Sequence, residues 1–332
     1  MTRSIRLIVA AAAVAMAIAL TMITGGSLAS YTGYEDAAQR VLFSDWWTLW
    51  AVPPVEIALI ALLAANVAVA VRVRPEAERP SAWRYLVAAV AVLLLAVASP
   101  VAGLAQGGLF GAHMMQHVLI GGLAPLLVLL ALPRALPDIP RPRVLRAVLH
   151  PGVAFALWLA STLIWLLPPV HHQVFDHQAA WIGQQVSFFV FGIVLWAPIT
   201  ERLVASPRWF GLGFKCAYMV GVWFVGLTVA NVFWFSSKAF YSSHAAGAAA
   251  WGLSPLQDQA NGATVMVATH CLLSFGAIAV LFFRQSREGD LEQRLIEAGL
   301  DPERARHAVR YGDAPALARE LGISARARPG ID

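Results

Sequence analysis

The feature that most restricts this chain is a series of unbroken apolar runs. Each is close to the length of about 20 residues that a helix needs to cross the hydrocarbon core of a bilayer. They fall at Ile5–Ile23, Leu49–Val71, Tyr85–Leu104, Leu109–Leu132, Ala147–Val170, Ala179–Ile199, Leu212–Phe235 and Gly262–Phe283. Strands of a membrane barrel alternate apolar and polar residues, so runs without alternation predict helices. The expected fold class is therefore all-α, a polytopic membrane helix bundle. It has seven core transmembrane helices, an N-terminal signal or anchor helix, and a short cytoplasmic helical tail.

Charge placement supports this reading. Of 24 Lys and Arg and 19 Asp and Glu, 18 lie in the last 49 residues, from Arg284 to Asp332. The spans are left almost uncharged, which excludes a soluble enzyme. The net charge of +5 comes from arginines beside apolar runs rather than from a basic face, so no nucleic-acid partner is expected. Cys216 and Cys271 both sit inside apolar runs and exclude a disulfide scaffold.

The loops set the expected orientation. Arg72, Arg74, Arg79 and Arg84 share one loop, and Arg134, Arg141, Arg143 and Arg146 another. Arg202 and Arg208 occupy a third, while Arg284 and Arg287 follow the last run. The alternate loops hold chiefly Arg40 and Lys238. The positive-inside rule then puts the arginine loops and the C-terminus in the cytoplasm of a multi-pass protein of the cell (inner or plasma) membrane. Residues 1–29 are expected to be a signal peptide or a retained signal-anchor, since Arg3 and Arg6 precede an apolar core and Ser27-Leu28-Ala29 resembles a cleavage site. Residues 30–283 form the seven-helix domain and 284–332 the tail. In the tail, Asp290 is expected to start a helix ending at Gly299, and Asp301-Pro302 the next. A solvated tail is the simplest expectation, with a cytoplasmic docking partner as the alternative.

Seven of the nine histidines fall in the outer halves of spans or in outer loops. Ionisable residues within a membrane are costly, and each raises a functional hypothesis. His113 and His117 are four apart, so a helix places both imidazoles on one face, with His117 about 12 Å below the outer end. Met266 and His270 repeat that spacing on the last span at a similar depth, with Asp258 and Gln259 at its mouth. His171, His172 and His177 are expected in the outer loop after the fifth run, and His244 in the loop before the last span. Imidazole with thioether is a soft ligand set that suits Cu(I) better than Zn(II). The expected metal residues are His113, His117, His270, Met266, His171, His172 and His177. Asp258 is expected to orient a ligating imidazole from behind. Met114, Met115 and Cys216 are read as packing residues, and Cys271, turned about 100° away from His270 on the helix, as a weak ligand candidate.

Several motifs together carry a family resemblance. His113-Met114-Met115-Gln116-His117, followed by Leu123-Ala124-Pro125-Leu126-Leu127 and Leu132-Pro133, resembles the signature of the polytopic CtaG family of cytochrome c oxidase assembly factors. That is the multi-span family, not the single-span copper chaperone sharing its name. Trp165 to Val170, Phe188-Phe189 and Leu195-Trp196-Ala197-Pro198 are similar to its next block. Ser254-Pro255-Leu256-Gln257-Asp258-Gln259 with Gly262 and Met266 resembles its stretch at the last helix. The resemblance covers Leu49 to Phe283 and implies a seven-helix, non-enzymatic factor that binds copper transiently and assists its insertion into oxidase subunits. The chain departs from the family pattern at Leu166, where a histidine is typical, and at Trp181 and Gln185, where a histidine pair is typical. A metal-ion permease and a membrane cytochrome using His117 and His270 are the alternatives.

Overall fold

The computed structural model describes residues 49–50, 52–133, 142–311 and 314–322. The expected signal or anchor segment lies outside the described residues. Among those described there is no strand. The helices are α1 Pro54–Arg72, α2 Arg79–Ala98, α3 Pro100–Gln106, α4 Phe110–Val118, α5 Ala124–Ala131, α6 Arg143–Val148 and α7 Pro151–Leu166. They continue with α8 Pro168–Asp176, α9 Gln178–Thr200, α10 Leu212–Phe235, α11 Ala245–Ala250, α12 Pro255–Glu297, α13 Pro302–Tyr311 and α14 Ala314–Glu320. Proline stands at the first or second position of α1, α2, α3, α5, α7 and α8. Its fixed φ suits a helix start, and its missing N–H costs nothing where no acceptor exists.

Among the described residues, six helical stretches are long and apolar enough to cross a membrane, or seven if α7 and α8 count as one bent span. Large apolar side chains such as Val87, Phe224 and Leu272 stay more than 60% exposed. Apolar surface on this scale suits lipid and not water. The chain is a multi-pass membrane protein.

The structure departs from the sequence reading at two places. Ala147–Val170 is not one straight span followed by a loop, because α7 and α8 meet at a 70° bend. Leu167, ahead of Pro168 and Pro169, is extended at φ −66° and ψ 127°, as the residue before a proline tends to be. His171 therefore sits on a helix. In the tail, no helix starts at Asp290, because α12 runs from Pro255 through Gly289 to Glu297. An Arg284–Glu288 pair one turn apart, at 2.6 Å, carries it across that point.

The helices divide into two units. The first comprises the described residues up to Pro207 with Gly221–Leu273; the second comprises Arg208–Val220 and the described residues from Ser274 on. Within the second, Leu295, Ala305, Ala308, Val309, Ala314 and Ala318 form a small core of their own. Gly299, at φ +91°, ends α12 in a conformation that favours glycine, and Asp301 Oδ2 accepts the N–H groups of Glu303 and Arg304 to start α13.

Within the first unit, α4 passes into α5 through a π-helical turn at Leu119–Leu123. There Gly192 of α9 crosses so closely that a Cβ would lie 2.1 Å from the Gly121 carbonyl oxygen. Close backbone approach at small residues is how membrane helices pack without a hydrophobic drive. Trp196 donates its Nε1–H to the Gly122 carbonyl at 2.9 Å, using an acceptor in the wide turn. At the far end of α5, Arg74 and Arg202 both donate to the Leu132 carbonyl, at 2.9 and 3.0 Å. They serve a carbonyl that has no further turn of helix to bond it.

Candidate functional site

The site grows from the N-terminus of α4. Asp258, in the first turn of α12, is buried and spans the start of that helix. Its Oδ2 accepts the Phe110 N–H at 2.7 Å and its Oδ1 the Gly111 N–H at 3.1 Å. A carboxylate there satisfies two helix-end donors and complements the positive end of the helix dipole. Asp258 thus orients the helix that carries His113 and His117, through its backbone and not through an imidazole. Gln259 fixes the adjoining loop, accepting the Phe240 N–H at 2.9 Å and donating to the Phe233 carbonyl at 3.0 Å. Gly262 makes room for Phe110, whose ring would be 2.3 Å from a Cβ at that position.

One turn along α4, the His113 and His117 rings lie 4.2 Å apart. Gln116 on the same helix donates to the Ala96 carbonyl of α2 at 2.9 Å and holds the rotation of α4 about its axis. The 70° bend turns α8 so that His171 comes within 5.2 Å of His113, ring to ring. Tyr241 packs on His171 at 4.1 Å and donates its hydroxyl to the Leu166 carbonyl at 2.7 Å, beside the bend. Burial keeps the Tyr241 hydroxyl pKa above its ordinary value, so it remains a donor.

His244 completes a group of four. It ends a single 3₁₀ turn, Ser242–His244, and its ring lies 5.7 Å from His113 and 5.1 Å from His171. Its Nδ1 is 3.0 Å from the Gly108 carbonyl and its Nε2 is 2.8 Å from Nε2 of His171. Burial first, then the neighbouring His171, hold its pKa down at about 3, so the ring is neutral near pH 7. A carbonyl only accepts, so the one proton of neutral His244 is on Nδ1 and its Nε2 is bare. The 2.8 Å bond is therefore donated by His171 Nε2–H. An imidazole whose other nitrogen donates to a backbone carbonyl is oriented as metal-binding histidines usually are.

Phe110, Phe175, Trp181, Phe188 and Tyr241 surround these four rings at 4.1 to 6.3 Å. Inside this apolar shell both ring nitrogens of His113 and Nε1 of Trp181 are buried without a hydrogen-bond partner, while Nε2 of His117 and Nε2 of Gln184 make no bond of good geometry although the two side chains stand beside each other. Buried polar groups are usually paired, and unpaired ones need an explanation. No three His, Cys, Asp or Glu side chains among the described residues stand ready-formed around a metal ion.

The remaining expected residues lie elsewhere. His270 turns Nδ1 to the Met266 carbonyl of its own helix at 2.8 Å, and its ring lies over Gly226, where a Cβ would come within 2.7 Å. Met266 packs in an apolar cluster with Phe110, Met114, Ala230, Phe233, Tyr241 and Ala263. His172 is half-buried, 3.3 Å from the Ser242 hydroxyl, and His177 is exposed at the start of α9. The structure thus gathers His113, His117 and His171 and adds His244, which sequence reasoning placed on the same side but left out of the site. Its loop carries no motif, and its position on that side was the single signal available. Trp181 lies 5.4 Å from His113.

Membrane-spanning helices that bring buried imidazoles together define a polytopic membrane protein built around a polar cluster. The family model described as cytochrome c oxidase caa3 assembly factor matches residues 63–288. The chain belongs to that family and is a cytochrome c oxidase assembly factor. No curated protein and no solved structure matches it.

Proposed function

We propose that this chain takes copper as a transient cargo at His113, His117, His171 and His244 and passes it to a cytochrome c oxidase subunit, without catalysing a reaction. The observation that carries this is the set of ring nitrogens on His113 and His117 without a well-formed hydrogen bond, held in a buried aromatic shell beside two further imidazoles. Neutral imidazoles suit copper, and a metal would give these nitrogens the partners they lack. His244 offers a bare Nε2 to the cluster. His171 binds through Nε2 when its proton moves to Nδ1 and the 2.8 Å bond to His244 opens. Asp258 and Gln116 hold α4 in place while that exchange occurs.

The cluster faces the outer side of the cell membrane and the arginine loops and tail face the cytoplasm. The support is the arginine distribution, which falls in alternate loops along the sequence. His172 and His177 stand at the mouth, where they meet copper before it reaches the buried rings.

The test is the copper content of the purified, detergent-solubilised protein after loading under reducing conditions, with His113→Ala/His117→Ala beside wild type. About one copper per chain, lost in the double variant, is expected for a cluster of this donor type. A wild-type protein that takes none overturns the copper assignment. Deleting the gene should lower oxidase activity and oxidase copper without lowering oxidase transcript. Unchanged oxidase activity after deletion overturns the transfer to oxidase.

A further inference from the structure

A second feature lies at the other end of α7, apart from the four-histidine cluster. Arg143, Arg146 and Ala147 of α6, with His150 and Val153, line an open cleft of about 540 Å³. Arg143, Arg146 and His150 are exposed, and neither arginine has an ion pair or hydrogen bond with a described residue. The described lining residues include no carboxylate. Two guanidinium groups three residues apart on one helical turn share a face and repel each other unless an anion lies between them. The start of α7 adds to the field. Pro151 is at its first position, and no described side chain caps this positive helix end.

The cations alone would suit any phosphate. The surface around them selects among phosphates. Val144 is 74% exposed on α6 and Val153 43% exposed on α7, beside the basic groups. A small soluble anion would leave both valines in water, whereas an amphiphile satisfies the two kinds of surface together. α6 leads directly into a helix that forms half of a bent span, and basic pockets at the ends of membrane helices hold acidic headgroups. We propose that this cleft binds the phosphate of an anionic phospholipid between Arg143 and Arg146, with its acyl chains against the valines. Arginine's planar fork matches a phosphodiester in two parallel hydrogen bonds, which lysine cannot reproduce. This site stands independently of the copper assignment.

The test uses the full chain in detergent, equilibrated with mixed micelles of phosphatidylglycerol and phosphatidylcholine. Native mass spectrometry counts the lipid retained. Wild type should hold phosphatidylglycerol in preference to phosphatidylcholine. Arg143→Gln/Arg146→Gln should weaken that retention by roughly thirtyfold, since each basic side chain at an anionic surface is worth about fivefold. Arg143→Lys/Arg146→Lys should retain an intermediate amount, and Arg84→Gln, an exposed arginine elsewhere, should match wild type. Coincident melting curves establish that the variants are folded. Equal retention of both lipids by wild type, or full retention by the glutamine pair, overturns the proposal. Complete displacement by excess inorganic phosphate also overturns it, because the cleft would then be a site for free anions.

Discussion

α4 and α12 carry the same pattern, two candidate ligand side chains four residues apart, and the structure uses them in different ways. On α4, His113 and His117 point into a shell of aromatic rings, and three of their four ring nitrogens have no well-formed hydrogen bond. On α12, His270 bonds back to the carbonyl of Met266, and the Met266 side chain fills an apolar cluster. With Nδ1 of His270 satisfied by its own helix, only Nε2 is left to a ligand, and α12 presents no pair of unsatisfied buried nitrogens that calls for one. A pair held unsatisfied in an apolar interior does call for one, because burying a polar group without a partner is costly. Four-residue spacing establishes that two side chains share a face, and what covers the face decides their role.

The largest test of that contrast compares the two pairs directly. Copper bound under reducing conditions should fall to background in His113→Ala/His117→Ala and stay at wild-type level in Met266→Leu/His270→Ala. Loss of copper from the second variant as well would erase the distinction between the helices.

Asp258 should matter through the helix it caps. Asp258→Ala leaves the Phe110 and Gly111 N–H groups without an acceptor, at a cost of about 2–5 kcal/mol. A fall of several degrees in the melting temperature is expected, with copper affinity falling because α4 is no longer held. Asp258→Asn, which keeps an acceptor oxygen but not the charge, should lose less. An Asp258→Ala protein as stable as wild type would show that α4 needs no anchor from α12.

His244 sharpens the contrast through pH. Its pKa is about 3 in the folded chain against an ordinary 6.5, so the unfolded chain takes up a proton that the folded one refuses. Its contribution is present above about pH 6.5 and is lost as pH falls towards 3, at up to about 1.4 kcal/mol per unit. His244→Gln should therefore show a shallower fall in melting temperature between those pH values than wild type. Parallel profiles would mean that His244 is solvated.

A smaller effect is expected at the mouth. His177→Ala, at an exposed position, should leave stability and bound copper unchanged and slow only the rate of loading. A change in bound copper would make it a ligand.

The membrane-helix fold and the family were legible in the chain itself. Apolar runs of spanning length need no tertiary information, because each span must satisfy its own backbone hydrogen bonds in lipid. The His113-to-Pro125 block and the Asp258-Gln259 stretch were visible as local motifs, and the family match covers both. The bend at Leu167 was foreshadowed by two successive prolines, yet a hydropathy scan passes over it because Leu166, Leu167 and Val170 are all apolar. The continuous α12 was misjudged because Gly289-Asp290 imitates a helix start, whereas the helix already running through it keeps its hydrogen bonds.

Local sequence by itself therefore determined which segments span the membrane, where the prolines start helices, and that His113 and His117 share a face. These follow from rise per residue, period and backbone chemistry, all short-range properties. The tertiary structure alone decided the company those two rings keep. Asp258 bonds Phe110 across 148 residues, His244 bonds Gly108 across 136, and His171 reaches His244 across 73. Such contacts depend on which helices are neighbours and how far each is rotated. Both are set by side-chain packing over the whole bundle, such as Gly192 against Gly121, which no single window of sequence contains.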